Sequence, residues 1–186
     1  MSDFDIAVRF VLLNEGELSE NPNDSGGITN FGISLRYLRE IPGERLRKYG
    51  IFEPIDEDTI RHLTVDQVKL IYKEEFWEGN NFDQIESQNL CNYIFDMVVA
   101  HGIAPAIRLL QRGICAEALS RNYLRDDGIM GIDTISRINI IGDYLLGTLV
   151  GIRGEFYRHV ASHRPKDDVN LDRWLNRCYD VFKSLP

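Results

Sequence analysis

Apolar residues near the start of the chain recur at three- and four-residue intervals. Ile6, Ala7, Phe10, Val11 and Leu13 form such a stripe, the spacing of one buried helical face. The pattern predicts a helix over Phe4–Leu13, capped by Asp3 or Ser2, with the stripe ending at Asn14 and Glu15 at the carboxy-terminal edge. Ser34 caps a second helix through Leu35, Leu38 and Ile41, which Pro42 and Gly43 break. Thr64 and Gln67 form a capping box ahead of Val68, Leu70, Ile71, Tyr72 and Phe76.

A helix from about Gln88 to His101 follows the Gly79-Asn80-Asn81 loop, and its Ile94–Ala100 stretch is apolar nearly all round except at Asp96. That makes it the expected central core helix. Asp96 then reads first as a buried carboxylate with a structural partner, Arg153 being one candidate. Pro105 opens a helix through Leu110, and another short helix starts near Asp133. Asp143–His163 reads as a long helix with Leu145, Leu149, Ile152, Phe156 and Val160 on one face. Gly147, Gly151 and Gly154 within it each cost roughly 1 kcal/mol against alanine, which predicts close helix packing there. A final helix over Asp172–Lys183 carries Trp174, Leu175, Val181 and Phe182. No strong alternating run predicts a strand, so the fold class is mostly α.

Residues 16–32 break the helical pattern with four glycines, one proline, three asparagines and one aspartate. They predict a long loop with a short hairpin around Gly26-Gly27. This loop holds the candidate chemistry. Eight residues separate Glu15 from Asp24, and four separate Asp24 from Thr29. A glutamate on a helix end can be desolvated by the core behind it, which favours the protonated form that a general acid needs. Asp24, among polar neighbours, is expected to stay ionised and to assist a water or balance oxocarbenium charge, with Thr29 positioning that water. Gly26 and Gly27 let backbone approach a bulky sugar. This division of labour suits glycosidic bond cleavage, where one carboxylic acid protonates the leaving oxygen and a second polar group manages the opposite face. The same residues also read as exposed or turn-forming groups. A calcium loop fails, because Gly32 stands where the bidentate glutamate is needed and Pro22 interrupts.

Composition narrows the classes. The chain of 186 residues is 44% hydrophobic and 27% charged, ordinary for a globular protein. A net charge of −8 argues against nucleic acid as a partner. Cys91, Cys115 and Cys178 are few and widely spaced, and read as small hydrophobes. Glu155, His159 and His163 share a helical face at four-residue spacing, but an exposed charged face is the better reading than a metal site, and no cofactor is expected. The opening Met-Ser-Asp-Phe-Asp-Ile lacks a basic n-region with an apolar core, so the expectation is synthesis in the cytoplasm without a signal peptide. No run approaches the about eighteen apolar residues of a bilayer span, so no stable membrane insertion is expected.

The loop also carries a signature. Glu15-Gly16 followed by Asn21-Pro22-Asn23-Asp24-Ser25-Gly26-Gly27-Ile28-Thr29-Asn30-Phe31-Gly32-Ile33 resembles the amino-terminal pattern of glycoside hydrolase family 108, lysozyme-like peptidoglycan-cleaving proteins also labelled secretion activators. Glu17 and Leu18 stand where that pattern has Gly-Tyr. Later segments resemble the family's carboxy-terminal peptidoglycan-binding region: Phe76-Trp77, Phe95-Asp96-Met97-Val98 through Gly102, Leu110-Gln111, Asp127 through Thr134, Arg153 with Phe156-Tyr157, and Arg173 through Arg177.

The resemblance implies a lysozyme-like catalytic lobe over residues 1–85 and a helical peptidoglycan-binding-like lobe over 86–186, packed as one unit. It places Glu15 as the catalytic acid of an N-acetylmuramidase, with Asp24 and Thr29 as helpers. Gly26, Gly27 and Asn30 are substrate-binding candidates in the same signature. Asp127, with Gly128, reads first as a turn former and second as a peptidoglycan contact. Trp77, Trp174, Phe31 and Tyr37 are aromatic faces for sugar stacking or for the core. The implied partner is the peptidoglycan glycan strand, met by a monomer at the periplasm or cell wall if the chain is exported. The alternative is a non-catalytic peptidoglycan-binding or secretion-accessory protein on the same fold.

Overall fold

Ten α-helices among the described residues account for most of the structure, a computed structural model that describes residues 1–16, 18–20, 27–117, 124–164 and 169–180. Helix α1 (Phe4–Glu15) begins at Asp3, whose side chain accepts from the Ile6 amide, and ends at Gly16, φ +67°. It buries Ala7, Val8, Phe10 and Val11. The expected stripe is therefore rotated: Ile6 and Leu13 are exposed and Val8 takes a core place. Leu13 faces a cleft instead. Ser2 does not cap. Its hydroxyl donates to the Ile85 carbonyl at 2.7 Å and ties the chain start to the interior.

Two two-residue strands follow, β1 (Thr29–Asn30) and β2 (Ile33–Ser34), paired antiparallel with Thr29 opposite Ser34. The hairpin expected around Gly26-Gly27 falls on a loop whose residues 21–26 lie outside the described residues. The turn between β1 and β2 is Phe31-Gly32. Both turn residues have positive φ, +49° and +81°, the geometry that lets a two-residue turn match strand twist. Four short helices then run through α2 (Leu35–Glu40), α3 (Gly43–Lys48), α4 (Glu57–Arg61) and α5 (Val65–Ile71). The capping box expected at Thr64 and Gln67 is present at the start of α5. Helix α5 widens into a π-helical turn over Tyr72–Trp77. Such turns re-aim side chains, and this one sends Tyr72, Phe76 and Trp77 inward.

Helix α6 (Gln88–His101) is the centre, with every residue from Leu90 to Val98 buried. Helix α1 packs on it, as does α7 (Ile103–Glu117); α7 packs on α9 (Leu145–His163), and α9 on α10 (Leu171–Tyr179). Pro105 sits in the first turn of α7, where a missing amide hydrogen is tolerated. Between α7 and α9 lie α8 (Ile132–Ile141) and a 3₁₀ turn over Gly142–Tyr144. Phe95 meets Phe4, Tyr72, Trp77 and Phe82 edge-on, with centroids 5.3–6.4 Å apart.

Glycine packing differs from expectation. Among the described residues, a Cβ on Gly147 or Gly151 would meet nothing within 4 Å, and of the three only Gly154 faces a neighbour, α10. The tight approach of α7 and α9 is made from the other side, where a Cβ on Gly113 would lie 2.8 Å from Leu149 Cδ2. The last helix ends at Tyr179, so Val181 and Phe182 fall outside the described residues. The stretch Ile132–His163 is long and apolar enough by composition to cross a bilayer. It is interrupted by the 3₁₀ turn, and its residues Leu145, Leu146, Leu149, Val150, Tyr157 and Ala161 are buried in the bundle.

Candidate functional site

Helix α1 delivers Glu15 as its last helical residue, and the hairpin turn delivers the surface against it. A Cβ on Gly32 would lie 2.7 Å from Glu15 Cδ and 2.5 Å from the Tyr72 hydroxyl oxygen, so only glycine fits. Tyr72, wholly buried, donates its hydroxyl to the Phe31 carbonyl at 2.7 Å and pins the turn. Burial raises the Tyr72 phenol well above its usual value, and the neighbouring Glu15 carboxylate adds to the rise. Tyr72 therefore stays a neutral donor at any working pH.

Glu15 opens onto a cleft of about 1320 Å³. Asn14, Ser19, Thr29, Gly32 and Ser34 line it on the α1–hairpin side, and residues of α6, α9 and α10 line the far side. Helix α10 is amphipathic, and it turns Trp174, Asn176 and Arg177 into the cleft. Trp174 stacks on Tyr157, centroids 5.2 Å apart and rings 26° from parallel. His159 and His163 also line the cleft, their rings 4.2 Å apart.

The electrostatic frame is a ladder of alternating charge running from the cleft into the core. Arg177 Nη2 donates to Glu15 Oε1 at 2.6 Å and to Asp96 Oδ1 at 2.7 Å. Its Nε donates to Asp96 Oδ2 at 3.2 Å. Arg153 Nη1 donates to the same Oδ2 at 2.8 Å, and Asn14 Nδ2 donates to Oδ1 at 3.2 Å. Arg153 is thus the partner of Asp96. Burial pushes the Asp96 carboxyl up, but Arg177 and Arg153 outweigh it and hold the group down at about 2. The core expected to desolvate Glu15 also brings a guanidinium counter-charge against it, which helical periodicity does not show because Arg177 lies on another helix, far along the chain.

The other predicted site residues are placed as follows. Thr29 lines the cleft with Glu15, its hydroxyl 3.3 Å from the Gly27 carbonyl it donates to. Its backbone exchanges hydrogen bonds of 2.8 and 2.9 Å with Ser19, which closes the base of the loop. Glu20, beside it, pairs with Arg61 at 2.8 Å on the exposed surface. Gly27 has φ +71°, and a Cβ there would meet none of the described residues within 4 Å. Asn30 turns inward, its Nδ2 donating to the Ile60 carbonyl at 3.0 Å. Asp127 lies away from the cleft, where its carboxylate accepts from Gln111 Nε2 and the Ile129 amide. Asp24 and Gly26 lie outside the described residues. Arg177, Tyr72 and His101 are the cleft and support residues that sequence reasoning missed. For Arg177 the available signals were the polar face of α10 and its place in the family-like stretch Arg173 through Arg177.

The search of curated proteins gave no match. Among solved structures, that of Brucella abortus SagA is similar, with a TM-score of 0.66 and 22% identity over 94% of this chain and 92% of that one. The glycosyl hydrolase 108 family model matches residues 8–102, just over half of the 186 and including Glu15, Thr29 and Asp96. With that match and its mostly α, lysozyme-like fold, this chain belongs to glycosyl hydrolase family 108.

Proposed function

We propose that this protein is an N-acetylmuramidase that hydrolyses the β-1,4 bond following N-acetylmuramic acid in peptidoglycan, with Glu15 as general acid. The observation that carries the reading is the placement of Glu15. Its carboxyl group ends a helix with one face in the core, is packed against a glycine whose replacement would press on it, and opens onto a cleft with room for several sugar rings. A glycosidic oxygen leaving from the sugar needs a proton from such a fixed acid, and the developing oxocarbenium charge needs a polar group on the other face. Asp24 and Thr29 are assigned that second role. Trp174, backed by Tyr157, offers an aromatic face to the apolar side of a sugar ring.

A wall-binding accessory protein is the competing function. It draws on the Glu15–Arg177 ion pair, which occupies one carboxyl oxygen of the proposed acid. Release of reducing ends from purified peptidoglycan, by the native protein and by Glu15→Gln, separates the two. Hydrolysis by the native protein that Glu15→Gln abolishes, with sedimentation on sacculi retained, is the expected result. Sedimentation without hydrolysis in both forms overturns the enzyme reading.

A further inference from the structure

The oxygens of Glu15 are not equivalent, and the difference comes from outside the family-matched segment. Arg177 lies beyond residue 102, on the last described helix, yet its Nη2 is 2.6 Å from Glu15 Oε1. The same guanidinium is gripped from behind. Asp96 accepts from both Nε and Nη2, which fixes the plane of the fork, and Arg153 in turn holds Asp96. With the plane fixed, the second hydrogen of Nη2 has one direction left, toward Glu15. The hairpin turn also packs close to the Glu15 side chain, since a Cβ on Gly32 would lie 2.7 Å from Glu15 Cδ.

Resting on the reading of Glu15 as the acid, we propose that Arg177 is a positioning residue for catalysis: by engaging Oε1 it leaves Oε2 as the oxygen that carries the proton to the glycosidic oxygen, and Asp96 with Arg153 holds the guanidinium for that task. The proton moves from Oε2 to the leaving oxygen as the C–O bond breaks, and Glu15 is left as an anion already facing a cation. Arg177 neither gives nor takes a proton. The charge on the acid changes within a preorganised field, so little reorganisation accompanies the step. A lysine cannot reproduce this arrangement, because one point charge on a flexible stem does not span Asp96 and Glu15 with a fixed fork.

The test compares kcat on purified peptidoglycan, and binding to sacculi, for the native protein, Glu15→Gln, Arg177→Ala and Arg177→Lys, each with and without millimolar guanidinium chloride against equal sodium chloride. The expected result is a fall in kcat of about 100-fold for Arg177→Ala, the scale of a misplaced catalytic group. Binding is held, and guanidinium but not sodium restores part of the loss. Arg177→Lys stays well below native kcat. Native kcat in Arg177→Ala, an equal loss of binding and turnover, or no response of a folded Arg177→Ala to guanidinium overturns the inference while leaving Glu15 as the acid. Should Arg177→Ala not fold, native kcat in Arg177→Lys overturns it alone. Native activity in Glu15→Gln, or no hydrolysis by the native protein, removes the reading and the inference together.

Discussion

Arg153 and Asp96 meet at 2.8 Å with their side chains 0% and 1% exposed, which makes this the most deeply buried ion pair among the described residues. The cation is hemmed in elsewhere by ring faces, its Cζ 5.4 Å from the Tyr93 centroid and 5.6 Å from that of Tyr157. Among the described residues, its Nε and Nη2 meet no acceptor in hydrogen-bond geometry. Asp96 is therefore the main compensation for a guanidinium with no access to water. Replacing Asp96 by Asn removes that charge and leaves the cation buried, a change that costs about 3–5 kcal/mol. At this chain length the expected fall in Tm is roughly 6–20 °C by calorimetry. Arg36→Ala, which breaks the exposed Arg36–Glu40 pair, is expected to change stability by no more than about 0.5 kcal/mol.

The same carboxylate predicts an acid limb. Its folded value of about 2 lies below the ordinary 3.8. A depressed acid binds fewer protons folded than unfolded, so stability rises with pH across that interval. Its contribution is complete above about pH 3.8 and is lost as pH falls from there through about 2. Unfolding free energies measured from pH 7 to pH 2 in the native protein and Asp96→Asn are expected to differ by a constant amount down to about pH 4, then converge. A difference that holds its full size at pH 2 would contradict the assignment.

His101 produces a second window at higher pH. Burial, with Arg153 and Arg177 adding to it against Asp96, pushes the imidazole down to about 3 from 6.5. The ring lies against Phe156 and Tyr157, and its Nε2 has no hydrogen-bond partner among the described residues. The fold holds the ring neutral where the unfolded chain would protonate it, so stability falls as pH drops from about 6.5 toward 3. The slope approaches about 1.4 kcal/mol per pH unit for one proton. His101→Phe keeps an aromatic ring among the others and removes the titration. Between pH 6 and pH 4 its stability is expected to fall less steeply than that of the native protein, by about that slope, in denaturant titrations.

What could be read from sequence followed from local physics. The α6 boundaries and its burial came from an apolar run at helical spacing, and Glu15 came from the place where the α1 stripe stops. Asp3 and Thr64 were legible because capping is a contact between near neighbours. Arg177 was not, because a charged residue on an amphipathic helix has the same local pattern whether it faces water or a carboxylate on α1. The Phe31-Gly32 turn was not legible for a different reason. Gly26-Gly27 is the stronger local turn signal, whereas Phe31, a bulky residue, holds φ +49° with its carbonyl bound by Tyr72 from the π-helical turn. That contact is tertiary, and no window of sequence contains both partners.

Gly32 and Gly27 separate what a backbone angle costs from what a crowded site costs. Both have positive φ, +81° and +71°, so alanine at either is strained by about 1–3 kcal/mol. At Gly27 no described residue lies within 4 Å of the added Cβ, and the loss should stop at that backbone contribution. At Gly32 the Cβ would fall 2.5 Å from the Tyr72 hydroxyl and 2.7 Å from Glu15 Cδ, distances that real atoms do not keep. Either the turn shifts and Tyr72 loses the Phe31 carbonyl, or the Glu15 carboxyl moves away from Arg177. Both shifts disturb the cleft. Gly32→Ala is thus expected to lower Tm more than Gly27→Ala and to reduce peptidoglycan hydrolysis by about 100-fold, the penalty for displacing a catalytic group by an ångström or so. The check is a paired comparison of Tm and turnover. Full turnover in Gly32→Ala would mean that the carboxyl can leave its present position and still act, and the tight packing around Glu15 would then have no part in the chemistry.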